Sequence, residues 1–192
     1  MPNHVRTEID FIGDPEDIME VRSFVENENG DFDFSKIIPH PEYWECPEKY
    51  LILPTDITVD KWGLSSNKHH IGVNKNRPYL NWYTWQIDNW GTKWNAYETL
   101  FFNDGSGVAF ETAWSFCYPV IKKLSELFPE VEFAFRYADE DIGNNCDSGT
   151  AKNGIVQFDN LDSYHATKLA IILWGYEDDY EVIDGEWKYV GE

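Results

Sequence analysis

Cysteine and long apolar runs are both scarce in this sequence of 192 residues. Its three cysteines, Cys46, Cys117 and Cys146, form no CxxC pair, and an odd number of isolated cysteines does not make a disulfide framework. No apolar stretch approaches the roughly 18 residues that cross a membrane. The first residues, MPNHVRTEIDF, lack the basic start and apolar run of a secretory signal. We therefore expect a cytoplasmic protein with no membrane partner.

Basic residues are also few. The sequence has 15 lysines and arginines against 35 aspartates and glutamates, which gives a formal net charge of −20 at pH 7. Ten of the acids lie between Glu8 and Asp33, and seven more follow Gly175. Because such a charge repels a phosphate backbone, we expect no direct binding to nucleic acid. The same charge favours a basic protein as the partner.

The familiar signatures of catalysis are missing as well. Ser115 does not lie in a G-x-S-x-G elbow, and no GK[ST] follows the glycines at 105 and 107. His69 and His70 have no further ligands at metal-binding spacing. Cys117 lies between two aromatic residues, which indicates burial and not a reactive thiolate. The sequence therefore predicts no catalytic residue, no cofactor and no resident metal.

Aromatic residues are abundant, at 17% of the chain, and they concentrate in one stretch. Four of the nine tryptophans fall within thirteen residues of the segment PYLNWYTWQIDNWGTKWNAYE, which starts at Pro78. Pro78 and Gly91 are typical of the first and the next-after-last positions of a helix. Residues at helical spacing form the predicted apolar stripe: Tyr79, Trp82, Tyr83, Ile87 and Trp90. Trp85 lies off this stripe.

Hydrophobic periodicity predicts an alternating arrangement of strands and helices. The predicted strands are residues 5–12, 97–102, 108–113 and 131–137, with a looser strand at 155–158. The predicted helices start at Pro15, Pro78, Pro119 and Ser163, with Gly30 closing the first and Gly175 the last. Residues 33–39 are predicted to be a short extended piece, and residues from 176 onward an acidic tail.

This order, β-α-insert-β-β-α-β, is that of a ferredoxin-like α+β fold, an antiparallel sheet backed by helices. We expect a single domain over residues 1–192. Its core would comprise residues 1–30 and 78–158, and an inserted region of loops and short helices would occupy residues 31–76. A C-terminal helix and the acidic tail would occupy residues 160–192.

Several long motifs carry a family resemblance. They are MPNHV at the start, FDFSKIIP from Phe32, NWY from Asn81, NWGTKWNA from Asn89, TAWS from Thr112, LSELFP from Leu124 and YADEDIG from Tyr137. These stretches resemble the Api92-like proteins of phages and plasmids, which are similar in turn to YubB-type proteins that carry a ferredoxin-like domain. The resemblance covers roughly residues 1–175. It implies the same fold and a phage or mobile-element origin, hence the cytoplasm of a host cell, and it supplies no catalytic residue.

Tryptophan and tyrosine are enriched at binding hot spots. Functional side chains often lie where a strand gives way to a loop, which is where the carboxylates of Asp139 and Glu140 are predicted to lie. The predicted binding surface comprises Trp85, Trp90, Lys93, Trp94, Asn95, Trp114, Tyr137, Asp139 and Glu140. Core packing is the alternative explanation of the rings. The leading hypothesis is a non-enzymatic accessory protein of a phage or mobile element that binds a host protein. A more specific version of this hypothesis is a nucleic-acid mimic that competes for a basic nucleic-acid-binding site and so counters a host defence or DNA-processing enzyme.

The carboxylates of Asp139, Glu140 and Asp141 suggest a second hypothesis, a metal-dependent hydrolase or small-ligand enzyme that uses Mg²⁺ or Ca²⁺. The run DEDIGNNCDSG does not fit the calcium-loop pattern, and consecutive strand residues point to opposite faces. A single-strand binder that stacks bases on exposed rings is a third hypothesis, which the charge disfavours. The sequence determines neither the oligomeric state nor the partner.

Overall fold

The computed structural model describes residues 3–41 and 82–191. The helices are α1 (Pro15–Val25), α2 (Phe34–Ile37), α3 (Trp82–Trp90), α4 (Tyr118–Leu127) and α5 (Ser163–Trp174), with a 3-10 turn at Glu177–Asp179. The first four strands are β1 (His4–Ile12), β2 (Tyr97–Phe101), β3 (Gly107–Ala113) and β4 (Glu132–Asp139). The others are β5 (Cys146–Lys152), β6 (Ile155–Phe158), β7 (Tyr180–Ile183) and β8 (Glu186–Tyr189). Within the described ranges, none of these helices has the length and apolarity to span a membrane.

Six strands form one sheet in the order β2-β3-β1-β4-β5-β6, and every neighbouring pair is antiparallel. The first four strands, with a helical crossover on each side of the β2-β3 hairpin, make the split β-α-β arrangement of a ferredoxin-like fold. β5 and β6 extend this core at one edge. The predicted α+β, ferredoxin-like fold class is therefore confirmed.

The main core lies between one face of the sheet and helices α1, α2, α3 and α4. β1 alternates as predicted, with Val5, Thr7, Ile9 and Phe11 buried on one face. Large rings from distant segments fill the space behind it: Phe32, Phe34, Trp90, Phe110 and Phe133. Burial of these side chains is the dominant source of stability in such a layer.

α5 covers part of the opposite face of the sheet. Because strand residues alternate, Ala138 of β4 points away from the main core, and it packs against Ala170 and Leu173 of α5. The side chain of Asp162 caps the helix by accepting a hydrogen bond from His165 N at 2.9 Å. Gly175 ends it with a φ of 72°, a left-handed conformation that favours glycine. The predicted bounds of this helix are confirmed.

Two local predictions near the start of the chain are wrong. Residues 33–39 are not one extended piece, because residues 34–37 form the helical turn α2, which Asp33 caps: its carboxylate accepts a hydrogen bond from Ser35 N at 2.8 Å. Gly30 does not close α1, which ends at Val25, since Glu26 is already extended and forms a β-bridge with Phe32. Asp14 lies at the predicted N-cap of α1, although its side chain makes no capping bond.

Two further differences concern the C-terminal half. The sequence analysis did not predict β5, which pairs with β4 on one side and β6 on the other. The segment after Gly175 is not a plain acidic tail, because β7 and β8 pair there as a hairpin that packs on α5. The predictions for residues 42–81, including most of the insert, the histidine pair and Tyr79, lie outside the described residues.

Candidate functional site

The tryptophan-rich helix α3 presents a different face to the core than the sequence predicted. Trp90 is fully buried, and its indole Nε1 donates a hydrogen bond to the carbonyl of Ile38 at 2.9 Å. The ring of Trp85 is also buried and lies 5.5 Å from that of Trp90. Both were predicted to contribute to a binding surface, and both belong to the core. Trp82 and Tyr83, predicted to be in the buried stripe, are exposed instead.

Two other predicted residues, Trp94 and Trp114, do lie at the surface, with 38% and 42% of their area exposed. The ammonium of Lys93 lies between them, 4.7 Å from the ring centre of Trp94 and 4.6 Å from that of Trp114. Such cation–π contacts attract the ammonium to both rings and favour this arrangement. Tyr83 meets Trp114 edge-on at 6.2 Å, and Trp82 adjoins Tyr83 at 5.9 Å. We call these five residues the aromatic surface.

Hydrogen bonds between distant segments hold the aromatic surface in place. The hydroxyl of Thr92 donates to the carbonyl of Ala113 at 2.7 Å, and the hydroxyl of Ser115 donates to the carbonyl of Gly91 at 2.6 Å. These bonds fasten the segment that follows α3 to the end of β3. Gly91 itself has a φ of 78°, and a Cβ there would lie 2.7 Å from Pro119 Cδ. The close approach of α3 and α4 therefore requires glycine.

Trp114 has a strained backbone, with a φ of 75° that non-glycine residues rarely adopt. Its N–H donates to the carbonyl of Asn3 at 2.9 Å, and its own carbonyl accepts from Asn145 Nδ2 at 3.2 Å. The left-handed conformation costs a side-chain-bearing residue about 1–2 kcal/mol. Strain of this kind persists where the surroundings over-determine it, and it clusters at functional sites.

The strain predicts an unusual order of stability for two variants. Trp114→Gly is expected to be more stable than Trp114→Ala by about 1 kcal/mol, because only glycine accepts the positive φ without steric cost. Both variants lose the same ring contacts, so the difference between their free energies of unfolding reports the backbone strain at this position. Urea unfolding followed by circular dichroism measures it. An alanine variant as stable as the glycine variant, or more stable, would show that the backbone at this position is not strained.

Acidic residues lie beside Tyr97, whose ring meets that of Trp94 edge-on at 6.3 Å. The hydroxyl of Tyr97 lies 2.8 Å from His4 Nδ1, and the carboxylate of Glu111 lies 3.3 Å from the same nitrogen. Burial, and then the charges of Glu111, Glu140 and Glu98, raise the pKa of Tyr97 to about 12. Tyr97 therefore stays neutral at physiological pH, and the rim carries the negative charge of the carboxylates.

The three adjacent carboxylates hold the loop after β4. Asp139 is only 5% exposed, and its carboxylate accepts hydrogen bonds from Asn3 Nδ2 at 3.0 Å, Asp141 N at 2.9 Å and Asn145 Nδ2 at 3.4 Å. Glu140 accepts one from the backbone N–H of His4 at 3.2 Å. Within residues 3–41 and 82–191, no three potential metal ligands form a cluster. Asp139, predicted to lie at the binding surface, is a buried structural residue.

Asn95 and Tyr137, also predicted for the surface, are engaged within the fold. The amide of Asn95 accepts from Phe34 N at 2.9 Å and donates to Asp33 Oδ1 at 2.7 Å. The ring of Tyr137 stacks on that of Phe116 at 4.3 Å, and burial, followed by the charge of Asp147, raises its pKa to about 12. Both residues are partly buried. The hydrogen bonds of Asn95 and the ring stacking of Tyr137 stabilise the fold.

The structure thus brings Lys93, Trp94 and Trp114 together, with Glu140 on the acidic rim, and adds two residues that the sequence analysis missed. Trp82 and Tyr83 were missed because α3 is apolar on two sides, so the spacing alone did not determine which side would be buried. No signal within the helix resolves that choice. It depends on contacts with α2 and α4.

Residues 89–182 match the family model of the ferredoxin-like domain in Api92-like protein. The matched stretch runs from the end of α3 into β7 and includes three residues of the aromatic surface, Lys93, Trp94 and Trp114. No curated protein and no solved structure gives a match to this chain. The family description agrees with the fold derived above.

Proposed function

We propose that this protein is a non-enzymatic binding protein that docks on a basic partner protein through the aromatic surface. The observation that carries the proposal is the pair of exposed indoles, Trp94 and Trp114, held on either side of Lys93. Exposed tryptophans clustered with a cation and a tyrosine have the composition of a binding hot spot. Their contacts also keep the rings ordered before binding, which lowers the entropic cost of association.

The charge distribution supports a basic partner. The carboxylates of Glu98, Glu111 and Glu140 lie beside Tyr97, next to the aromatic surface, in a chain whose formal charge is −20. A field of this sign steers a positively charged surface toward the rings and raises the association rate at low salt. The rings then supply most of the affinity, since exposed ion pairs contribute little.

We propose further that the partner is a host protein whose basic surface normally binds nucleic acid, and that a phage or other mobile element encodes this chain. The resemblance to Api92-like proteins supports the origin, and the excess of acids supports mimicry of a phosphate backbone. On this proposal, the protein occupies the partner's nucleic-acid site and blocks it.

Affinity capture from a host lysate tests the proposal. The tagged protein is loaded at low salt and eluted with a salt gradient, since electrostatic complexes weaken as the Debye length falls. The comparison uses the wild type, the variant Trp94→Ala/Trp114→Gly and a control, Tyr176→Ala/Tyr189→Ala, which removes two exposed rings elsewhere. We expect the wild type and the control to retain one dominant basic protein, and the variant to lose at least about 90% of it. Equal retention by all three proteins would contradict the proposal.

A further inference from the structure

A second surface with binding character lies at the opposite end of the sheet. β1 runs from His4, beside the aromatic surface, to Ile12, a distance of roughly 27 Å for an extended strand. Near Ile12, a groove of about 170 Å³ opens between α1 and the end of α4. Its lining residues are Asp17, Glu20, Leu127, Phe128, Pro129, Glu130 and Val131.

Four of the seven lining residues are apolar. Leu127, the last residue of α4, leaves 41% of its area exposed, although the helix elsewhere buries its aliphatic side chains. Phe128, another lining residue, meets Phe24 of α1 edge-on at 5.4 Å. Apolar side chains left open around a groove are typical of an interaction site.

The other three lining residues are acidic, and no basic side chain neutralises them by an ion pair among the described residues. Asp17 and Glu20 are three residues apart on α1, so their carboxylates lie on the same side of the helix. Glu130 faces them from the turn after α4. Within the part of the chain that the structure describes, these three carboxylates form no ion pair. A partner that brings positive charge would therefore gain attraction without displacing an existing bridge.

We propose that this groove is a second docking site, for a basic amphipathic segment of a protein partner. One aliphatic side chain of that segment occupies the groove against Leu127, and lysines or arginines on either side meet Asp17, Glu20 and Glu130. The volume supports a single side chain as the occupant, because sites for drug-sized molecules are larger, at roughly 300–1,000 Å³. An apolar anchor flanked by charges is the usual form of peptide recognition by a groove.

A labelled peptide tests this site directly. The probe is a peptide of about 15 residues with leucines at helical spacing among lysines, and its control replaces the leucines by serine. Fluorescence polarisation at low salt measures both against the wild type, Asp17→Asn/Glu20→Gln, Leu127→Ser and a charge-matched control on the C-terminal hairpin, Glu181→Gln/Asp184→Asn. All substituted side chains except Leu127 are charged residues at the surface, so the variants are expected to fold, which thermal unfolding checks.

We expect both groove variants to bind the leucine peptide at least about fivefold more weakly than the wild type, and the hairpin variant to match the wild type within about twofold. The serine peptide is expected to bind weakly to every protein. The proposal would be overturned if the groove and hairpin charge variants weakened peptide binding equally, or if the two peptides bound equally well. Binding would then reflect the overall negative charge and not the groove. Absence of binding to the wild type would overturn it too. Trp94→Ala/Trp114→Gly is expected to bind the peptide normally, which separates this site from the aromatic surface.

Discussion

Replacing Trp90 by alanine is expected to lower the free energy of unfolding by about 3–5 kcal/mol. The indole is fully buried and packs edge-on against Phe34 at 5.8 Å. Its removal leaves a cavity, and it also leaves the carbonyl of Ile38 without the hydrogen bond that Nε1 donates. Phenylalanine at this position keeps most of the volume and is expected to recover about half of the loss.

The matched control is Trp94→Ala, four residues further along the same aromatic segment. Because Trp94 is exposed, its loss is expected to cost less than about 1 kcal/mol. Urea unfolding, followed by the helical signal in far-ultraviolet circular dichroism, gives both free energies. Similar midpoints for Trp90→Ala and the wild type would mean that α3 does not bury this face.

Replacing Asp139 by alanine is expected to destabilise the protein by about 3 kcal/mol. The buried carboxylate accepts hydrogen bonds from Asn3, Asp141 and Asn145, and it joins the start of β1 to the loop after β4. Alanine removes the acceptor and leaves these three N–H donors without their hydrogen-bond partner. Since Asn3 and Asn145 also hold the backbone of Trp114, the variant is expected to disorder the aromatic surface as well.

Glu140→Ala is the control for Asp139→Ala, because Glu140 is the exposed neighbour. Its replacement is expected to lower the free energy of unfolding by less than about 1 kcal/mol. Urea unfolding gives the free energies of both variants. Thermal unfolding with and without added metal then tests for a metal site. A structural role predicts that millimolar Mg²⁺ or Ca²⁺ leaves the melting temperature of the wild type unchanged. A rise in melting temperature that Asp139→Ala abolishes would instead support the hydrolase hypothesis.

The elements that the sequence predicted well have local signals that agree with their packing. β1 alternates because one of its faces is buried along its whole length, from Val5 to Phe11. α5 begins at a capping aspartate, Asp162, and ends at a glycine, Gly175, and each acts within a single turn. Where cap, period and burial point to the same structure, the pattern is sufficient to place the element.

β5 shows why the other elements could not be predicted. Its sequence, CDSGTAK, has neither alternation nor bulky β-formers, and it is a strand because β4 and β6 supply hydrogen-bonding partners on both sides. Gly149 permits the close approach of β5 and β6, since a Cβ there would clash with the carbonyl oxygen of Gln157. Tertiary pairing overrides local propensity at this position.

The candidate site was predictable as a set of residue types but not as a geometry. Lys93 and Trp94 are adjacent in the chain, whereas Trp114 reaches them only through the β2-β3 hairpin and its own positive φ. The burial of Asp139 depends on Asn3, which is 136 residues away in the sequence. Contacts of that range leave no periodic trace, so the sequence grouped buried and exposed aromatic residues together.

The affinity of the captured partner for two forms of this protein tests the central claim most directly. Isothermal titration compares the wild type with Trp94→Ala/Trp114→Gly, using the protein that the salt gradient releases. If the aromatic surface is the docking site, the variant binds at least about 30-fold more weakly, equivalent to about 2 kcal/mol, while its fold is retained. Affinities within about twofold of each other would contradict the claim and place the contact elsewhere on the acidic surface.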